Sequence, residues 1–153
     1  MSFKATLDIG DKTFDLLYCK SVLEQKTDDS GKPASGVRGG VLCLMIKGSD
    51  DDTLAAWAVD PVKQQDGTIT FFRIDQDAKF KKIEFRNAYL TTLVESFVAD
   101  DEPLLMESET PEADHLYRLL MQVQQRTCSS YITLCNISAE KISIDGVDHD
   151  NKW

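Results

Sequence analysis

The segment from Asp28 to Lys47 constrains this chain most, because it joins a polar loop directly to a strand that is apolar on both faces. The loop half reads DDSGKPASGVRGG and carries Gly31, Gly36, Gly39, Gly40 and Pro33. The strand half reads VLCLMIK. In an extended chain Val41, Cys43 and Met45 point to one side, and Leu42, Leu44 and Ile46 to the other. A strand that is oily on both sides must be covered on both, by a helix or by another subunit. The flexible loop before it predicts a segment that reaches away from the body. A long projecting loop on a β-body points toward assembly rather than catalysis.

The rest of the chain reads as short strands joined by tight turns. Phe3 to Ile9 alternates cleanly, Gly10-Asp11 marks a hairpin, and Lys12 to Cys19 is the return strand. After the two-sided strand, Ser49 or one of Asp50, Asp51 and Asp52 can cap a helix of about three turns that Asp60-Pro61 ends. Leu54, Trp57 and Ala58 share one face of it, so Trp57 can anchor the helix on one side of the two-sided strand. Gly67–Ile74 and Lys79–Arg86 read as a second hairpin, with Ile83 and Phe85 buried and Phe80, Lys82, Glu84 and Arg86 on the other face. Ala88–Val98 is expected as a further strand, with Tyr89, Thr91, Leu93, Glu95 and Phe97 on one side. Between Ala99 and Thr127 the pattern turns helical: Thr110-Pro111 suits a helix start, and Leu116, Leu119, Leu120 and Val123 form an apolar stripe. Ser130–Ile137 and Lys141–Ile144 return to strand. The sum is mainly β: about seven strands at barrel or sandwich spacing, one short helix, and one inserted helix near residues 111–126.

At 153 residues this is a single domain, residues 1–153, that buries roughly 68–70% of its unfolded surface and needs no disulfide or metal to fold. Cysteines 19, 43, 128 and 135 show no CxxC spacing, and neither His115 nor His149 lies near them in sequence, so free thiols are expected. A net charge of −9 argues against a nucleic-acid partner, and no basic amphipathic stripe suggests a membrane surface. No apolar run reaches the ~20 residues of a membrane span. The opening MSFKATLDIG lacks a basic and an apolar leader region, which predicts a cytoplasmic chain outside the general secretory route. Asp50-Asp51-Asp52 and Asp145, Asp148 and Asp150 are not spaced as calcium loops. With no GxSxG, HExxH or glycine-rich phosphate loop, the chain offers no catalytic, cofactor-binding or metal-binding residues, and is expected not to be an enzyme.

Three segments, MSFKATLDIGDKTFDLLYC, SGKPASGVRGG and NISAEKISIDGV, supported by FRNAYLTTLVESF, resemble the Hcp-like tube protein of type VI secretion systems, the TssD family. The likeness runs over residues 1–99 and 131–153 and rests on the order and spacing of the segments together. It implies a β-barrel with a short helix on its flank, hexameric rings that stack into a tube, effectors carried in the lumen, a spike at the tip and a contractile sheath outside. It implies export by the type VI apparatus without a signal peptide. In this family the loop between the second and third strands reaches the next ring, which makes Lys32, Pro33, Ser35, Gly36, Val37 and Arg38 the ring-stacking candidates. Residues 100–127 are longer than the connection expected there and read as an atypical insertion. Two other readings stay open on the residues: a ligand-binding barrel of lipocalin type, and a phage tail-tube-like structural protein.

Overall fold

The computed structural model of the chain describes residues 2–34, 36, 38–75, 78–97, 99, 111–127 and 129–151, with the backbone alone for Arg38 and residues 111–117. Seven antiparallel strands and two helices follow in the order β1 (Phe3–Ile9), β2 (Lys12–Glu24), β3 (Arg38–Lys47), α1 (Thr53–Val59), β4 (Gln65–Arg73), β5 (Ala78–Phe97), α2 (Pro111–Thr127), β6 (Tyr131–Ile144) and β7 (Val147–Asp150). The sheet runs β3-β2-β1-β4-β5-β6-β7, and an added pairing of β3 with β6 closes the first six strands of that order into a barrel. Closure removes the open edges that a flat sheet would expose.

The barrel interior is filled by alternating residues of all six strands. Leu7, Phe14, Leu42, Leu44, Ile46, Ile69, Phe85, Ile137 and Ile142 form one cluster there, with Leu54 and Trp57 of α1. Each fully buried Leu, Ile or Phe contributes about 1.5–3 kcal/mol. The Trp57 indole donates to the Lys63 carbonyl at 3.1 Å, so its buried N–H is satisfied. Helix α1 is two turns rather than three, and packs chiefly against β5. Asp52 occupies the cap position without a side-chain cap; Asp51 Oδ1 accepts the Thr53 amide instead, at 2.7 Å.

On the outer side of the two-sided strand α2 covers Met45, while Val41 stays exposed. Met45, Ile132 and Leu134 pack with Leu120 in a second cluster, joined by Leu17, Tyr18, Val94, Leu119 and Val123. The apolar stripe expected on this helix thus meets its own barrel, although the side chain of Leu116 lies outside the described residues, as do those of Thr110 and His115. Beneath the helix, Gln124 is buried and its amide reaches the carbonyls of Ser96 and Ser130, at 3.4 and 3.5 Å.

Several elements differ from the pattern read in the sequence. Residues 79–86 and 88–98 do not form two strands; β5 is one strand of 20 residues. Asn87 lies between them at a left-handed φ of 53°, but its amide donates to Asp66 and its carboxamide to Glu140, so pairing continues through it. The inward face switches twice along β5: across Asn87, from Phe85 to Ala88 and Leu90, and across a bulge at Thr91, from Leu90 to Leu93. Phe80, expected beside Lys82 and Glu84, falls in a second bulge opposite Phe71 and Phe72 and packs its ring on Phe3, centroids 4.9 Å apart. The two C-terminal strand fragments are likewise one strand, β6, and the Asp145-Gly146 turn leads into β7, which alternation had not marked.

Candidate functional site

The arm between β2 and β3 is shorter and better ordered than a glycine-rich loop suggests. β2 runs on to Glu24 and β3 already starts at Arg38, where the two residues face each other. Arg38, Gly39 and Gly40 therefore belong to the strand and not to the loop. Between them the chain doubles back on itself. Thr27 and Pro33 form an isolated bridge, Ala34 N donates to Lys26 O at 2.7 Å, and Asp28 N donates to Lys32 O at 2.8 Å.

Asp28 closes the tip. Its Oδ1 accepts the Ser30 hydroxyl at 2.7 Å and the amides of Ser30 and Lys32, both at 3.0 Å. Short acidic side chains close turns in this way because they replace a backbone acceptor. The Ser30 hydroxyl, and after it the Lys32 amide, hold the Asp28 carboxyl below its ordinary value of 3.8. Every residue from Leu23 to Ala34 is exposed, as is Gly36. Of the six candidates, Lys32 and Pro33 lie together on the returning side of this hairpin, Gly36 follows in the return, and Arg38 lies at the root. Ser35 and Val37 lie outside the described residues.

The root of the arm is held by residues that sequence reasoning passed over. β3 and β7 lie end to end along one edge of β6: Lys47–Val41 pair with Ile132–Ser138, and Val147–Asp150 with Ile144–Lys141. Asn151 follows β7 and fills the junction. Its backbone N donates to Glu140 O at 2.7 Å. Its amide nitrogen donates to Gly39 O at 2.5 Å and Ala139 O at 3.0 Å, while its Oδ1 accepts Gly39 N at 3.3 Å. His149 Nε2 lies 3.0 Å from the same Oδ1. That oxygen already serves as an acceptor, so Nε2 is the protonated, donating nitrogen. Gly40 has φ +82°, and a Cβ there would lie 2.3 Å from the Ala139 carbonyl oxygen. Only glycine fits so close to β6. The one available signal was the Asp145-Gly146 turn, which implies a return strand beyond it.

Exposed apolar surface gathers where β1 begins and β4 ends. Phe3, Phe80 and Ile74 are each about half exposed, and the Arg73 guanidinium lies 5.1 Å from the Phe80 ring centre. Cys19, Cys43 and Cys135 are free thiols on adjacent strands, and Cys128 lies outside the described residues. Burial pushes Cys135 up to about 12 and Cys19 up to about 11, so both are neutral at pH 7 and poor nucleophiles. Among the described residues no group of three or more His, Cys, Asp or Glu side chains could hold a metal, and no helix is long and apolar enough to cross a membrane.

The barrel is closed, its interior is packed with side chains, and the described residues of the arm beyond Val22 are exposed up to Ala34. The family model described as Hemolysin coregulated protein Hcp (TssD) matches residues 1–109. The chain belongs to that family, the structural tube proteins of type VI secretion systems. No curated protein matches it in sequence. Among solved structures, Hcp1 from Flavobacterium johnsoniae superposes with a TM-score of 0.75 at 24% identity, over 97% of this chain and 99% of that one. Hcp1 from Salmonella typhimurium gives 0.58 at 12% identity, over 93% and 85%. A type VI secretion system effector from Yersinia pestis gives 0.57 at 11%, over 96% and 99%. These likenesses establish the Hcp fold.

Proposed function

We propose that the chain forms hexameric rings that stack into the inner tube of a type VI secretion system, carries effectors in the lumen, and leaves the cell through that apparatus. The observation that carries this reading is the arm: residues 26–34 are held by their own hydrogen bonds, yet each of them is exposed. A two-stranded hairpin is marginal in water by itself. One that is kept closed and rooted, with no described residue of its own chain burying it, is suited to contact another copy. Lys32, Pro33, Ser35, Gly36, Val37 and Arg38 are the residues assigned to that contact. Ring contacts must overcome the repulsion between subunits of net charge −9, so they need apolar area. Phe3, Ile74 and Phe80 supply some of it.

Sheath, spike and effectors are the expected partners, and residues 100–127 are a segment inserted between β5 and β6 of a single domain. The packed interior speaks against a lipocalin-type ligand barrel: Leu7, Leu42, Leu44, Ile69 and Ile137 are all fully buried inside it. Light scattering and negative-stain microscopy test the proposal. Six-subunit rings with a central channel are expected. Replacing residues 26–36 by a short Gly-Ser link should spare rings and abolish their stacking. A monomer at high concentration would overturn the assembly reading, and intact tubes from the arm replacement would overturn the role of the arm.

A further inference from the structure

Among the described residues, Asn151 makes the side-chain hydrogen bonds that tie the root of the arm to the end of the C-terminal strand. Asn151 continues the line of β7 along the edge of β6 and meets the first residues of β3. It uses both ends of its carboxamide. The nitrogen bridges Gly39 O and Ala139 O, which belong to different strands, and the oxygen takes the Gly39 amide. Gly39 thus finds in Asn151 a side-chain substitute for a neighbouring strand. The regular β3–β6 ladder stops at Val41 and Ser138, so without Asn151 the Gly39 amide and carbonyl lose these partners. The Gly39 amide and the two carbonyls set which way the carboxamide points, and His149 Nε2 lies 3.0 Å from the same oxygen. Leu23 and His149 also lie against the space that a Gly39 side chain would take.

We propose that Asn151 is a positioning residue that locks the root of the β2–β3 arm to β6, so that the C-terminal strand sets the direction in which the arm leaves the barrel. The lock concerns the free chain; its consequence for stacking rests on the reading of the arm as a ring contact. Residues near a hinge that carry no partner-facing group can still decide binding, because they determine how much of the population holds the competent geometry.

Amide hydrogen exchange on the full chain tests the lock. In Asn151→Ala, exchange over residues 24–40 should rise about tenfold, the scale set by losing hydrogen bonds that each add a modest net stability. Exchange in β1 and β4 should stay unchanged. Asn151→Asp keeps the oxygen for Gly39 N and His149 but turns a carboxylate oxygen toward two carbonyls, so it should loosen residues 24–40 at least as much as alanine does. A uniform rise across the barrel would make Asn151 a general stabilising residue and overturn the lock. An aspartate variant that exchanges like the parent would overturn it too. If residues 24–40 loosen in both variants while tubes still form, the lock stands and the stacking role of the arm fails.

Discussion

On the inner face of β3, Leu42 and Leu44 have no exposed surface, and five other strands of one closed barrel surround them. On its outer face Met45 is just as buried, but only because α2 lies over it, and Val41 four residues away is 52% exposed. The residue types on the two faces are alike; the cover is not. Barrel closure surrounds the inside of every strand at once. The outside is dry only where a separate element happens to lie, and a helix of 17 residues spans about 25 Å. The two faces therefore differ in how firmly they are held, and in what is left over for other molecules.

The largest effect should come from the inner face. Leu44→Ala removes a side chain with no route for relaxation and is expected to cost about 3–4 kcal/mol, read as a shift in the urea midpoint. A loss under about 1 kcal/mol would mean that the interior is loosely packed. Gly40→Ala comes next, at about 2–3 kcal/mol, because left-handed backbone strain adds to the contact with Ala139 O. Met45→Ala on the outer face should cost about 2 kcal/mol, less than Leu44→Ala, since α2 can settle into the gap. Exchange should rise selectively in α2, and a global rise would erase the distinction between the faces. Val41→Ala should change the stability of the isolated chain by no more than about 0.5 kcal/mol. If assembly nevertheless weakens, the exposed part of the outer face is an interface.

The smallest effect is electrostatic and confined to the arm. The Asp28 carboxyl is held below its ordinary value in the folded state, so its contribution is fully present above about pH 4 and is lost as pH falls through the lower, folded value. Arm amides should exchange faster only in that acid window. Asp28→Asn should flatten that dependence without moving the unfolding midpoint of the barrel at pH 7.

Much of this was legible in the residues. The alternation of Phe3–Ile9, the Gly10-Asp11 turn and the burial of Ile83, Phe85 and Trp57 all follow from side-chain period and turn chemistry, although the Trp57 helix packs chiefly on β5 and not on the two-sided strand. So did the helix near 111–126, whose stripe announced a covered face. The arm was visible as a glycine-rich stretch, but its bounds were not. Gly39 and Gly40 look like loop residues in sequence, whereas they mark the close approach of β3 to Ala139 and Asn151. Asn87 and Thr91 hid a single long strand because a bulge breaks the period of two while leaving the ladder intact.

Local pattern was enough to say that the chain makes strands, that they hide one set of faces, and that the strand after the arm needs shelter on both sides. Those properties depend on neighbours in the chain, a few residues apart. Which element shelters which face, where β3 meets β6, and how Asn151 reaches Gly39 across 112 positions depended on the folded barrel. Such contacts are chosen by closure and packing among distant segments, and no window of sequence contains both partners.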